Sequence, residues 1–183
     1  MLKGFDKIRK ELRKIEDNRE KAITNSRNII NLSKQIIYSV HRDNLNKAGE
    51  QVREIQKKIK SLNPKTYETQ IVNVAFQEYA EAVCYYEFVK NNKLPTFAEL
   101  KIGPVNYLMG LCDLTGELGR KAVRDIIKKK YGEVIKIRDF VDEIHGEFLN
   151  FDLRNSELRR KSDSIKWNLK KLEDLALSIK DKE

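Results

Sequence analysis

Residues 71–89 read IVNVAFQEYAEAVCYYEFV, and residues 104–123 read PVNYLMGLCDLTGELGRKAV. Neither stretch alternates apolar and polar residues as a half-buried strand would. A helix of this composition is apolar nearly all round and belongs inside a bundle. Yet the first carries Glu78, Glu81 and Glu87, and the second places Asp113 and Glu117 near its centre. Glu78 and Glu81 stand at i,i+3, and Asp113 and Glu117 at i,i+4, so each pair shares one helix face. Like charges at these spacings repel, and a buried unpaired carboxylate costs several kcal/mol.

The chain on either side continues the helical theme. Leu2, Phe5, Ile8, Leu12 and Ile15 step by three and four, and Ala22, Ile29, Ile30, Ile36, Ile37 and Val40 resume the pattern. This predicts a long first helix over 2–42, with a bend or a break fitting the charged interval Glu16–Lys21. Leu45, Ala48, Val52, Ile55, Ile59 and Leu62 form the cleanest amphipathic stripe, ending at Asn63-Pro64. Pro64 suits the start of a third helix reaching Lys90. Asn91–Phe97 reads as a loop in which Thr96 and Glu99 offer a capping box. A fourth helix opens at Pro104 and runs to about Lys130, with Gly132 as punctuation. Stripes from Val134 to Phe148 and from Leu158 to Ile179 mark the last two. The expectation is an all-α, single-domain bundle of six or seven helices over residues 1–183.

Composition agrees. Only 8 glycines and 3 prolines occur in 183 residues, too few for a turn-rich sandwich or barrel. The 40% hydrophobic content is too high for a disordered chain. Cys84 and Cys112 cannot form a disulfide framework or a four-ligand zinc site. No apolar run approaches the ~20 residues of a membrane span, and MLKGFDKIRKELRK lacks a signal-peptide apolar core. These features predict a soluble, cytoplasmic protein with no membrane partner, and the net charge of +9 suggests a polyanionic one.

The four acids can be reconciled with burial in two ways, and spacing fits both equally. Hard Mg²⁺ or Mn²⁺ takes carboxylate oxygens and keeps waters that can be activated. Alternatively, Arg or Lys from a neighbouring helix neutralises them. The Glu-x-x-His partners of di-iron bundles are missing, which argues against oxygen-activating iron. Arg27 and Lys34 share one face of the first helix and point either at the acids or at phosphate. The clusters Lys128–Lys130, Arg159–Lys161 and Lys170-Lys171 read mainly as solvated surface. His41 and His145 read as surface or capping residues, Cys84 and Cys112 as packing residues, and Trp167 and Tyr85-Tyr86 as core or interface aromatics. No P-loop, dinucleotide fingerprint or nucleophile elbow is present.

Four stretches also resemble the translin/Trax superfamily, and Trax more than translin. They are DNREKAITNSRNIINLSKQIIYSVHR (17–42), FQEYAEAV (76–83), VNYLMGLCDLTGELGR (105–120) and the C-terminal FDLRNSELRRKSDSIKWNLKKLEDLALSI. The resemblance implies a helical bundle assembled as an octameric RNA-binding particle, with Trax supplying a Mg²⁺-dependent endoribonuclease site. The Trax carboxylates in QEYxEA and DLTGE fall on Glu78, Glu81, Asp113 and Glu117, which favours the metal reading. Glu78, Glu81 and Asp113 would hold the ion, with Glu117 a ligand or the group orienting water, and Lys34 and Arg27 would contact phosphate. The long Trax insertion between the third and fourth helices is missing, which favours a homo-oligomer. The expected activity is cleavage of single-stranded RNA, with single-stranded DNA as a further ligand. The rivals are a non-catalytic, translin-like RNA-binding protein and a scaffold whose acids pair with Arg27, Arg19 and Lys34.

Overall fold

Phe5–His41 forms one unbroken 37-residue helix, α1. No Gly or Pro interrupts it, and the charged interval at Glu16–Lys21 thins the apolar stripe without breaking the helix. The computed structural model describes residues 4–62, 70–154 and 156–180. Among them, six further α-helices follow: α2 (Leu45–Lys58), α3 (Gln70–Asn91), α4 (Phe97–Leu100), α5 (Pro104–Ile127), α6 (Tyr131–Leu149) and α7 (Glu157–Lys180). The fold is all-α, and no strand occurs among the described residues.

Local chemistry places most boundaries. The Asn44 side chain accepts from the Lys47 amide and starts α2. A single 3₁₀ turn, Ile59–Ser61, ends that hairpin arm before extended Leu62. The proposed start at Pro64 lies outside the described residues. Thr96 and Glu99 make the full capping box, and the loop they organise contains the one-turn α4. Pro104 takes the first turn of α5. That helix stops at Ile127, short of Lys130, because Lys129 turns left-handed (φ 58°). Gly132 therefore falls within the first turn of α6 rather than between helices.

The centre of the bundle is the pair α3 and α5. α1 packs on α3, α5 packs on α7, and α2 and α6 close the flanks. Helices α3 and α5 approach closely at Gly110. A Cβ built there would sit 2.7 Å from the Gln77 carbonyl oxygen and 2.8 Å from Ala80 Cβ. This contact sets Gln77–Glu81 against Gly110–Asp113, which is how the two acidic faces come to look at each other. The amino-terminal half of α1 leaves the core: Phe5, Ile8, Leu12 and Ile15 are 48–59% exposed. No described helix is long and apolar enough to cross a membrane.

Candidate functional site

A cavity of about 730 Å³ opens between α1, α3, α5 and α7. Helix α3 gives it Glu78 and Glu81, α5 gives Asp113 and Glu117, and α1 gives Lys34, Tyr38 and His41. The four acids predicted from two separate stretches thus share one wall. Glu81 is buried, 7% exposed, and makes no side-chain hydrogen bond or ion pair among the described residues. Burial, with Asp113, Glu78 and Glu117 adding repulsion, pushes its carboxyl up to about 9. Burial also raises Glu78, against the pull of Lys34, and raises Asp113, against a hydrogen bond from Lys161.

Apart from Lys34 near Glu78, the cations that offset these acids are not the expected ones. Lys161 of α7 reaches Asp113 Oδ2 at 2.5 Å. Arg120 donates to both Glu117 oxygens, at 2.8 and 3.1 Å. His41 Nε2 lies 2.5 Å from Glu117 Oε2. Burial works to raise Glu117, but the His41 and Arg120 hydrogen bonds outweigh it and hold this carboxyl below its ordinary value. Arg19 pairs with Glu16 instead. Arg27 is exposed and does not line the cavity, whereas Lys34 does. The phosphate-contact reading therefore retains Lys34 on geometry and loses that support for Arg27.

His41 corrects the sequence reading more sharply. It is buried, 6% exposed, rather than a surface residue. A carboxylate only accepts, so Nε2 donates to Glu117, while Nδ1 is hydrogen-bonded with the Tyr85 hydroxyl at 3.0 Å. Arg124 donates to the His41 carbonyl at 2.8 Å, fixing the end of α1 to α5. The result is a chain Tyr85–His41–Glu117–Arg120 that holds one acid in a set orientation. Lys161 was likewise hidden in a basic cluster read as solvated surface.

Cys84 and Cys112 are buried and free, as packing residues should be, and burial raises both thiols. Tyr85 and Tyr86 are core residues, whereas Trp167 is 63% exposed.

Hard oxygen donors of this number suit Mg²⁺ or Mn²⁺, and a dication would offset both the burial and the neighbouring acids that raise the Glu81 carboxyl. Among the described residues, however, no three His, Cys, Asp or Glu side chains stand close enough to hold an ion as they are. Asp113 is turned to Lys161, and Glu117 to His41 and Arg120. The donor chemistry fits a divalent cation, and side-chain rearrangement of these pairs is the condition for binding one.

A helical bundle with a carboxylate-walled, cation-rimmed cavity is the class that fold and site define. The chain belongs to the translin family, whose sequence pattern it matches over residues 5–180. An uncharacterized protein of Methanocaldococcus jannaschii is 31% identical over 160 residues, 84% of this chain and 72% of that protein. Translin-associated protein X of Rattus norvegicus aligns at 22% identity over 98% of this chain and 78% of its own length. Among solved structures, the crystal structure of apo-NeC3PO superposes with a TM-score of 0.89 at 28% identity, covering 97% of both chains. The complex of AfC3PO with duplex RNA gives 0.83 at 23% identity, covering 98% of this chain and 97% of that one.

Proposed function

We propose that this protein binds RNA and hydrolyses its phosphodiester bonds at the acidic cavity with the help of Mg²⁺ or Mn²⁺. The observation that carries the reading is Glu81, a buried acid with no ion pair among the described residues, set among three further acids in an open cavity. A scaffold held by ion pairs alone would have no use for it. Glu78, Glu81 and Asp113 would hold the cation and Glu117 would join them or orient water. The bound cation would supply Lewis acidity toward a phosphate oxygen and a water. Lys34, at the cavity wall, would contact phosphate oxygens and offset the negative charge that develops on them. His41 would keep Glu117 aimed, and Tyr85 would hold the His41 ring in place. Cation binding would take the proton off Glu81.

The net charge of +9 suits RNA as the polyanion. AfC3PO has been solved with duplex RNA, so paired RNA enters as a ligand beside the single strand. A homo-oligomer enclosing the site, an octamer by family resemblance, would favour cutting of the flexible strand. The deciding experiment incubates labelled single-stranded RNA with the protein in Mg²⁺ or in chelator, alongside Glu81→Gln and Asp113→Asn. Cleavage is expected only for wild type with Mg²⁺. Cleavage by either variant at near wild-type rate would place the chemistry elsewhere. RNA retention without cutting by wild type would leave a translin-like binding protein.

A further inference from the structure

A second cavity, of about 870 Å³, lies beyond the turn joining α1 to α2. Five lysines line it: Lys90, Lys121, Lys129, Lys130 and Lys136. The acids on its wall, Asp43 and Glu133, are already engaged. Asp43 is paired with Lys128 just outside, and Glu133 with Lys136 at 2.9 Å. Lys121 is held by buried Asp125 at 2.8 Å. Lys90 donates to the Tyr86 hydroxyl at 2.7 Å. Lys129 and Lys130 are exposed and have no ion pair among the described residues. The cavity thus holds a surplus of positive charge with two lysines uncommitted.

Its position gives that charge a use. His41 lines the acidic cavity and Asp43 lines this one, two residues along the same turn, so at most ~7.6 Å of backbone separates them. Arg120 and Lys121, consecutive on α5, face the first and the second cavity respectively. A strand with one phosphate at the acids can lay its neighbouring phosphates across this turn onto the lysines. Lysine ammonium groups are point charges that contact phosphate without reading sequence.

We infer that the lysine cavity is a second binding site, taking backbone phosphates of RNA that flank the phosphate at the acidic cavity. The inference rests on the RNA reading above, and Lys129 and Lys130 are its principal contacts. Inorganic phosphate shares the chemistry, so the test has an arm for each.

The test measures binding of a fluorescent single-stranded RNA in chelator, where no cutting occurs, over a salt series. Lys129→Gln/Lys130→Gln removes two charges and keeps a Cβ at the left-handed Lys129, which already carries one. Lys166→Gln/Lys170→Gln on exposed positions of α7 removes the same charge away from both cavities. The first double variant should make the negative slope of log affinity against log salt shallower by ~1.4, since each lost single-strand phosphate contact is worth ~0.7. The second should leave the slope unchanged. Equal slopes for wild type and Lys129→Gln/Lys130→Gln overturn this inference while the RNA reading stands. An equal drop in the α7 variant overturns it too, because net charge and not a site would be responsible. Absence of RNA binding by wild type overturns both readings. Calorimetry with inorganic phosphate should show no saturable binding. Phosphate binding lost in Lys129→Gln/Lys130→Gln, with RNA binding intact, would assign the cavity to free phosphate instead.

Discussion

With its carboxyl at about 9, Glu81 holds a proton at neutral pH unless a cation displaces it, whereas the unfolded chain releases that proton near 4.5. The folded state therefore binds more protons over this interval, and its stability falls as pH rises through it. Glu78 and Asp113, also raised, act in the same direction, and Glu117, lowered, acts oppositely. In chelator, wild type should lose more melting temperature between neutral pH and pH 9 than Glu81→Gln does, and Mg²⁺ should narrow that loss. Parallel pH profiles for the two proteins would mean that Glu81 is not the protonated group. Lys34→Ala should slow cleavage and make the negative RNA salt slope shallower by ~0.7, the loss of one phosphate contact. An unchanged rate and slope would remove Lys34 from the site. The acids were legible in sequence because carboxylates stand out in apolar runs such as 71–89. Their partners were not. His41 meets Tyr85 and Glu117 from 44 and 76 residues away, and Lys161 meets Asp113 from 48. Those meetings depend on how α1 and α7 cross α5, which no local pattern encodes.

Helix number and type followed from periodicity because the apolar stripes are long and few residues interrupt them. Boundaries followed where a side chain caps a backbone group, as at Asn44, Thr96 and Pro104. They drifted where a lysine rather than a glycine took the left-handed turn, as at Lys129. The close crossing of α3 and α5 was not legible, since Gly110 looks in sequence like any helix glycine. It predicts a specific cost. Gly110→Ala drives a methyl against the Gln77 carbonyl, which is backbone and cannot swing aside, so overpacking should destabilise the fold by about 1–3 kcal/mol. Gly119→Ala, where a Cβ meets nothing within 4 Å, should instead be neutral or stabilising. Denaturant midpoints compare the two, and equal stability of both variants would show that α3 and α5 are not in contact at Gly110.

At the scale of the molecule, the exposed stripe Phe5, Ile8, Leu12, Ile15 and the exposed Trp167 and Leu177 of α7 leave more apolar surface than one copy covers. We expect light scattering to report a multimer of the 21.5 kDa chain, and Leu12→Glu/Ile15→Glu to reduce its mass. A monomer at micromolar concentration would defeat this. Assembly bears on which RNA is cut. A +9 chain draws much of its affinity from counterion release, so single strands and duplexes should both bind and both weaken steeply with salt. Cutting is a different demand, because the scissile phosphate must reach into the cavity toward Glu81, which is only 7% exposed. A single strand bends to deliver one phosphate there, while an A-form duplex holds its phosphates on a rigid surface. Single-stranded RNA should therefore be cleaved faster than the same sequence in a blunt, fully paired duplex, even where affinities match. Leu12→Glu/Ile15→Glu tests whether assembly contributes: if enclosure restricts access, the variant should narrow the difference in rate between strand and duplex. Equal cleavage of strand and duplex by the intact multimer would show that the acids are reached from an open face.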